Sequence, residues 1–358
     1  TTDTLGAALN FGYPISETQR LGFSFGISDT EITAGRFAVQ EIKASPRLEE
    51  GIDYWFDSTQ IFDANGFPTN QFSGPEEIVP IEDLPFSYLT PPPEPGFLDE
   101  NGEDFLNWTI TSSWSQSTLN RGRMATRGAA NSVALEVAMP GSDLEFYKLT
   151  YRGEVFFPIY GPWTLRLRGE LGYGDGYGDT TELPFYEHFY AGGFGSVRGF
   201  ESNTLGPRST PAVLYTARQP VTEVDEEGNA VQLGPQLGYV GEDGKLTFQG
   251  VNDDPDPFGG NVLIEGSAEL LFPLPFIKDR SQLRSAFFID AGNVFNTNCS
   301  VNQINCFDVD ADELRYSVGV GVTWITGFGP MTFSLAKPLN AGDEDEEEAF
   351  QFTLGRGF

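Results

Sequence analysis

Residues 163–168 read Trp-Thr-Leu-Arg-Leu-Arg. In an extended chain, successive side chains point to opposite faces. Trp163, Leu165 and Leu167 therefore share one face, and Thr164, Arg166 and Arg168 the other. A soluble two-sheet sandwich turns its apolar face to another sheet and its polar face to bulk water. A membrane barrel turns its apolar face to lipid and gathers polar groups around a wet interior. The flanking segments decide between the two.

Upstream, the same alternation runs through Leu5 to Tyr13, where Leu5, Ala7, Leu9, Phe11 and Tyr13 oppose Gly6, Ala8, Asn10 and Gly12. It continues through Leu21 to Ser28, Leu106 to Thr111, Val133 to Met139 and Tyr147 to Arg152. Downstream, Val262, Ile264, Ala268 and Leu270 oppose Glu265, Ser267 and Glu269. Ser285, Phe287 and Ile289 oppose Arg284, Ala286, Phe288 and Asp290, with Phe288 breaking the pattern. Val318 to Trp324, Met331 to Leu335, and a final segment with Phe350, Phe352, Leu354 and Phe358 complete about eleven strands. Charges stand in mid-strand on one face only: Glu136, Arg166, Arg168, Glu269 and Asp290. A charge on a lipid-facing surface costs about 2–4 kcal/mol near the midplane. Arg356 falls on the apolar face, but close to the terminus, where its charge can snorkel. The expected fold is all-β, a transmembrane antiparallel β-barrel occupying residues 1–358.

The connections agree. Pro14–Thr18, Pro158–Pro162, Pro273–Ser281 and Gly327–Pro330 are short, and Ser117–Asn131 is middling and carries Arg121, Arg123 and Arg127. Barrel asymmetry places these on the periplasmic side. Opposite lie long loops at roughly 28–105, 174–260, 293–313 and 338–349, with only Pro140–Leu144 short there. The first contains Leu-Thr-Pro-Pro-Pro-Glu-Pro-Gly and is expected to be ordered only by other loops. Single-chain barrels have an even strand number, and lipid cannot satisfy an open edge. Eleven strands therefore predict at least one more before Thr1. No signal peptide is visible, so a targeting segment is expected upstream or already removed.

Composition narrows the function. At 14% aromatic the chain is expected to fold. No apolar run reaches 18 residues, which excludes membrane-spanning helices. The net charge of −31 repels phosphates, so nucleic acid is not an expected partner. Most carboxylates sit in long loops, including the run Asp343 to Glu348. They form a solvated surface or hold divalent cations beside lipopolysaccharide. Cys299 and Cys306 lack neighbouring ligands for a metal, and a local disulfide is the expected pairing. The only histidine, His188, has no serine–base–acid pattern around it. Nothing singles out a carboxylate pair for glycoside hydrolysis. Neither an enzymatic activity nor a cofactor is expected.

Residues 184–208, Pro-Phe-Tyr-Glu-His-Phe-Tyr-Ala-Gly-Gly-Phe-Gly-Ser-Val-Arg-Gly-Phe-Glu-Ser-Asn-Thr-Leu-Gly-Pro-Arg, follow the sixth strand and precede five more. This stretch, with its core Val197-Arg198-Gly199-Phe200, resembles the signature of the BamA family and its two-partner-secretion relatives. The resemblance extends to Pro140–Asp143, Gly172–Gly176, Phe288–Phe295 and Phe350–Phe352. It implies a sixteen-strand parent barrel with periplasmic domains, of which about five strands and the domains are absent here. It also implies that loop 174–260 folds into the lumen and that Arg198 meets Glu269 and Asp290. In such a site a buried guanidinium needs carboxylates in bidentate range. A plain structural staple is the alternative role for the motif.

The implied activity is insertion of β-barrel proteins into the bacterial outer membrane. The expected partners are unfolded clients, outer-membrane lipids and lipopolysaccharide, and accessory lipoproteins reached through the periplasmic domains. The last strand would form a lateral seam through Phe350, Phe352, Leu354, Gly355, Gly357 and Phe358, and its glycines would weaken that seam or merely relieve crowding. A two-partner-secretion transporter is the alternative. A passive channel fits neither the motif nor the last strand.

Overall fold

The alternating segments pair in chain order. The computed structural model describes residues 1–35, 38–43, 54–56, 60–62, 68–72, 77–79, 95–122, 124–209, 219–220, 238–240, 246–248, 255–274, 282–300, 303–327 and 329–355. Eleven antiparallel strands form one sheet, the wall: β1 (Thr2–Ser16), β2 (Gln19–Ile32), β3 (Asp104–Ser117), β4 (Gly128–Ala138), β5 (Phe146–Tyr160), β6 (Trp163–Gly176), β7 (Val262–Phe272), β8 (Leu283–Phe295), β9 (Arg315–Thr326), β10 (Gly329–Pro338) and β11 (Phe350–Leu354). Each pairs with its sequence neighbours, and the number equals the sequence reading. β1 has 15 residues and β10 has 10, while β11 has only 5. About 9–11 tilted residues cross a hydrocarbon layer.

Register sets the faces. Arg166 lies opposite Glu269 and Arg168 opposite Ser267, while Ser267 lies opposite Asp290. The ionised residues of β6, β7 and β8 thus form rows on one side of the wall. The other side exposes Leu9 and Phe11 of β1, Trp108 of β3, Leu149 of β5, Ile289 of β8, Val320 of β9 and Leu335 of β10. So large an apolar band is a liability in water and a requirement in hydrocarbon. Near the short-turn end, the rings of Trp163, Phe272 and Phe287 stack in series with centroids 5.5 and 4.6 Å apart. Among the described residues no helix is long and apolar enough to cross a membrane.

The charged face is not charged throughout. Leu263 of β7 and Val294 of β8 form a buried cluster with Phe189, Ala191, Val197, Phe200 and Leu205. Toward the opposite end, Phe156 of β5, Leu271 of β7 and Ala286 of β8 pack with Ala125 and Leu119 from the β3–β4 turn. Arg284 donates to the Ala125 carbonyl at 2.8 Å. Each apolar patch lies where a connection folds back onto the wall.

The structure divides the expected loop 174–260. Residues up to Ser209 belong with the wall, and residues 210–255 belong with 34–102 in a second unit. In that unit Tyr54–Phe56 pairs with Gln219–Pro220 and with Glu77–Val79. The short helix Phe97–Asn101 starts where Phe97 and Leu98 donate to the carbonyls of Glu41 and Ile42. Most of the proline-rich stretch, Arg123, and the terminal Arg356, Gly357 and Phe358 lie outside the described residues.

Candidate functional site

The segment after β6 returns across the charged face and is fastened residue by residue. Gly199 has φ +98°, a left-handed conformation that suits glycine. A Cβ there would also meet Ala336 Cβ at 3.1 Å and Pro338 Cδ at 3.3 Å. The turn drives Val197 and Phe200 into the apolar cluster, where both are fully buried. It leaves Arg198 between them, pointing at β7 and β8.

Arg198 is 1% exposed. Its Nε lies 2.6 Å and its NH2 2.7 Å from the two carboxylate oxygens of Asp290, a bidentate arrangement. The backbone N–H of Arg198 donates to the same carboxylate at 3.1 Å. Glu269 lies 2.9 Å from NH2, and Ser267 Oγ accepts from NH2 at 3.0 Å while donating to Asp290 at 2.6 Å. The guanidinium carbon stands 3.5 Å from the centroid of the Phe288 ring. This contact accounts for the residue that broke alternation in β8: its ring provides a cation–π platform. Glu269 also accepts from Arg166 at 3.0 Å, and Arg166 bonds Glu154 at 2.9 Å. Two cations and three carboxylates form one network, so no charge in it is buried alone.

The loop is gripped from the wall as well. Arg168 donates to the carbonyls of Gly195 and Ser196 at 2.9 and 3.2 Å. Ser196 Oγ bonds Glu265 and accepts from the N–H of Gly192. Phe189 bridges Gly260, and Lys148 donates to the Glu187 carbonyl at 2.6 Å. His188 sits between the carbonyls of Phe258 and Leu183, at 3.1 and 3.2 Å, with its ring edge-on to Phe258. Burial pushes its pKa down to about 4, against the pull of those two carbonyls.

Beyond the motif, the loop reaches the segment entering β11. Glu201 donates its N–H to the Glu346 carbonyl and Gly199 accepts from the Glu348 N–H. Arg208 pairs with Glu346 at 2.9 Å. The Glu201 carboxyl, hydrogen-bonded to Glu346, is raised, whereas Arg208 holds Glu346 low. Asp345 pairs with Arg315. Part of the acidic run expected as a solvated surface is thus paired inside the loops. Among the described residues, no group of three or more acidic, His or Cys side chains could hold a metal. Cys299 and Cys306 are joined in a disulfide.

Of the residues singled out from sequence, Arg198 meets Glu269 and Asp290, while Val197 and Phe200 pack in the apolar cluster and Gly199 makes the turn. Phe350, Phe352 and Leu354 line one exposed face of β11, with Gly355 just after it. Gly357 and Phe358 lie outside the described residues. Sequence reasoning missed Ser267, Arg168, Ser196, Glu265 and Gln351 as partners. A signal exists for three of these: Arg168 stands on the charged face of β6, and Ser267 and Glu265 on that of β7.

The whole of residues 1–358 matches the Omp85 superfamily domain. The chain belongs to the Omp85 superfamily. An outer membrane protein assembly factor BamA from Neisseria meningitidis serogroup B is 36% identical over 281 residues, 74% of this chain and 30% of that protein. A BamA from Neorickettsia risticii is 33% identical over 101 residues, 28% of this chain and 13% of its own length. The chain thus spans less than a third of the curated relatives it matches. The crystal structure of BamA from Haemophilus ducreyi lacking POTRA domains 1–3 superposes with TM-score 0.61 at 22% identity, covering 98% of this chain and 53% of that one. Together with the eleven-strand sheet, this identifies the fold as a transmembrane β-barrel. In this Omp85 chain the motif is thus a loop clamped to β6, β7 and β8 by charge and to the segment entering β11 by backbone pairing.

Proposed function

We propose that this chain is the barrel of a BamA-type insertase, residing in the bacterial outer membrane and assembling other β-barrel proteins there. The observation that carries the reading is β11. It has five residues and pairs with the ten-residue β10 over only those five. Gly355, at φ +95°, ends the strand, with its N–H donating to Pro330. An open strand edge in lipid is costly because lipid offers no hydrogen bonds. A client meets the same cost before its own sheet closes. An edge that accepts the client's terminal strand by β-augmentation offsets both. No covalent chemistry is involved.

The motif loop, as the rigid element behind that edge, is assigned to holding the wall while the edge exchanges partners. The clients are unfolded outer-membrane proteins, the surroundings are outer-membrane lipid and lipopolysaccharide, and accessory lipoproteins dock on periplasmic domains. The sequence resemblance also admits a two-partner-secretion transporter. Depleting the protein in cells separates the two. Many outer-membrane proteins should decline together. A single exported partner stranded in the periplasm, with other barrels at normal levels, would overturn the insertase reading.

A further inference from the structure

The path from the buried ion pair to the last strand runs through two residues, Gly199 and Phe200. Arg198 is fixed on β8 through Asp290. The next residues, Gly199 to Glu201, lie antiparallel to Glu346–Glu348: Phe200 bridges Glu347, Glu201 N–H donates to Glu346 at 2.8 Å, and Glu348 N–H donates to Gly199 at 2.9 Å. Gln351, the second residue of β11, is 3% exposed and turns to the charged face. Its Nε2 donates to the Phe200 carbonyl at 2.7 Å and to the Glu348 carboxylate at 3.1 Å. Both neighbours are acceptors, so the amide must present its nitrogen to them. β11 has only five pairs with β10 to hold it otherwise.

We propose that Gln351 is a positioning residue of the seam: it splices β11 to the motif loop, so that the Arg198 anchor and the last strand move as one body. The inference deepens the insertase reading, and rests on it for the idea that the edge of β11 is where a client adds. The splice sets how far that edge can swing from the wall. Loosening the anchor on β8 then frees the start of β11, three strands away, without disturbing β9 or β10.

Hydrogen exchange on the whole protein in lipid nanodiscs tests this, comparing peptides covering 346–354 in the Arg198→Ala, Gln351→Met and Gln351→Lys variants. Arg198→Ala and Gln351→Met should each speed exchange there about tenfold, as expected when a local hydrogen-bonded contact opens. Gln351→Met keeps the side-chain volume but loses the donor. Gln351→Lys, which restores a donor to Phe200 and a partner for Glu348, should return exchange toward wild type. The double variant Arg198→Ala/Gln351→Met should be no faster than Arg198→Ala alone, because one splice cannot be cut twice. Peptide 5–13 of β1 should be unchanged throughout and reports that the wall is folded.

Wild-type exchange at 346–354 in Gln351→Met, whose ion pair is intact, would overturn the proposal. So would additive effects in the double variant. Client folding by the same nanodiscs separates the two readings. Coupled exchange with no client folding sinks the insertase reading alone, and client folding with uncoupled exchange sinks the splice alone.

Discussion

The first and the last strand of the sheet are built in opposite ways. β1 is fifteen residues long, pairs over nearly its whole length with β2, and is exposed on both faces. The face that would meet a packed loop carries Gly6, Ala8, Asn10 and Gly12, and nothing stands within 4 Å of where a Cβ on Gly12 would be. β11 has five residues, yet Gln351 within it is buried and bonded to the motif loop. A long strand held, among the described residues, by its ladder with β2 thus contrasts with a short strand held from behind. Charge follows the same division. The strands under the loop carry Glu269 and Asp290, which have a buried cation to neutralise, whereas β1 keeps small uncharged residues on that face. Ionised groups go where the loop can pair them, since an unpaired buried charge is far more costly than a paired one.

Removing the anchor is the strongest way to break this contrast. Arg198→Ala leaves Asp290 and part of the Glu269 environment buried with no cation, and should cost about 3–5 kcal/mol. Loss of heat-modifiable gel mobility in the whole protein is the readout, with Leu9→Ala in β1 as the control expected to leave mobility intact. Unchanged mobility in Arg198→Ala would mean that the ladder alone, as at β1, is enough to hold the wall.

A smaller effect is expected at the second place where a connection folds back. Arg284, itself buried, donates to the carbonyl of Ala125 in the β3–β4 turn, beside the cluster of Leu119, Phe156, Leu271 and Ala286. Arg284→Met deletes that bond and should cost about 1–2 kcal/mol locally. Tryptic cleavage after Arg121 or Arg127, both exposed, should then quicken by roughly tenfold, since proteolysis follows local opening. Unchanged cleavage would show that the apolar contacts alone keep the turn in.

The strands were legible because period two survives wherever one face meets lipid and the other does not. All eleven, and the face of the charges that stand in mid-strand, follow from that rule, whereas Asp29, Asp175 and Lys337 near strand ends fall on the apolar face. Arg198, Glu269 and Asp290 were assembled by family resemblance, and only register could add Ser267 between them. The grip of Arg168 on the carbonyls of Gly195 and Ser196 was out of reach, since backbone acceptors leave no mark in a sequence. The same holds for Gln351 and the Phe200 carbonyl. The acidic run 343–348 looked like solvated loop because charge pairing with Arg315 and Arg208 is a tertiary event. One signal was present and underused. Phe156, Leu263, Leu271 and Phe288 are apolar residues on the charged face, and each lies under a folded-back segment or, for Phe288, under the Arg198 guanidinium. An apolar residue that breaks alternation on a wet face marks where something covers the wall.

The least perturbing test uses pH on the covered side alone. His188 ties the start of the motif loop to Phe258 and Leu183, and its pKa is driven down to about 4 by burial. A base whose folded pKa lies below its ordinary value of about 6.5 binds its proton more readily when the site opens. Its contribution is therefore complete above pH 6.5 and is lost as pH falls from 6.5 toward 4. About 2 kcal/mol of local stability should disappear over that window after allowing for partial solvent screening. Hydrogen exchange of peptides covering 184–192, corrected for intrinsic rate, should accelerate as pH falls from 6.5 toward 4. Peptide 5–13 in β1, which has no histidine near it, should not. His188→Gln, which keeps a donor but cannot take up a proton, should flatten the response. An equal acceleration in wild type and His188→Gln would assign the acid sensitivity to the carboxylates around Arg198 instead, and remove His188 from the account of how the loop is held.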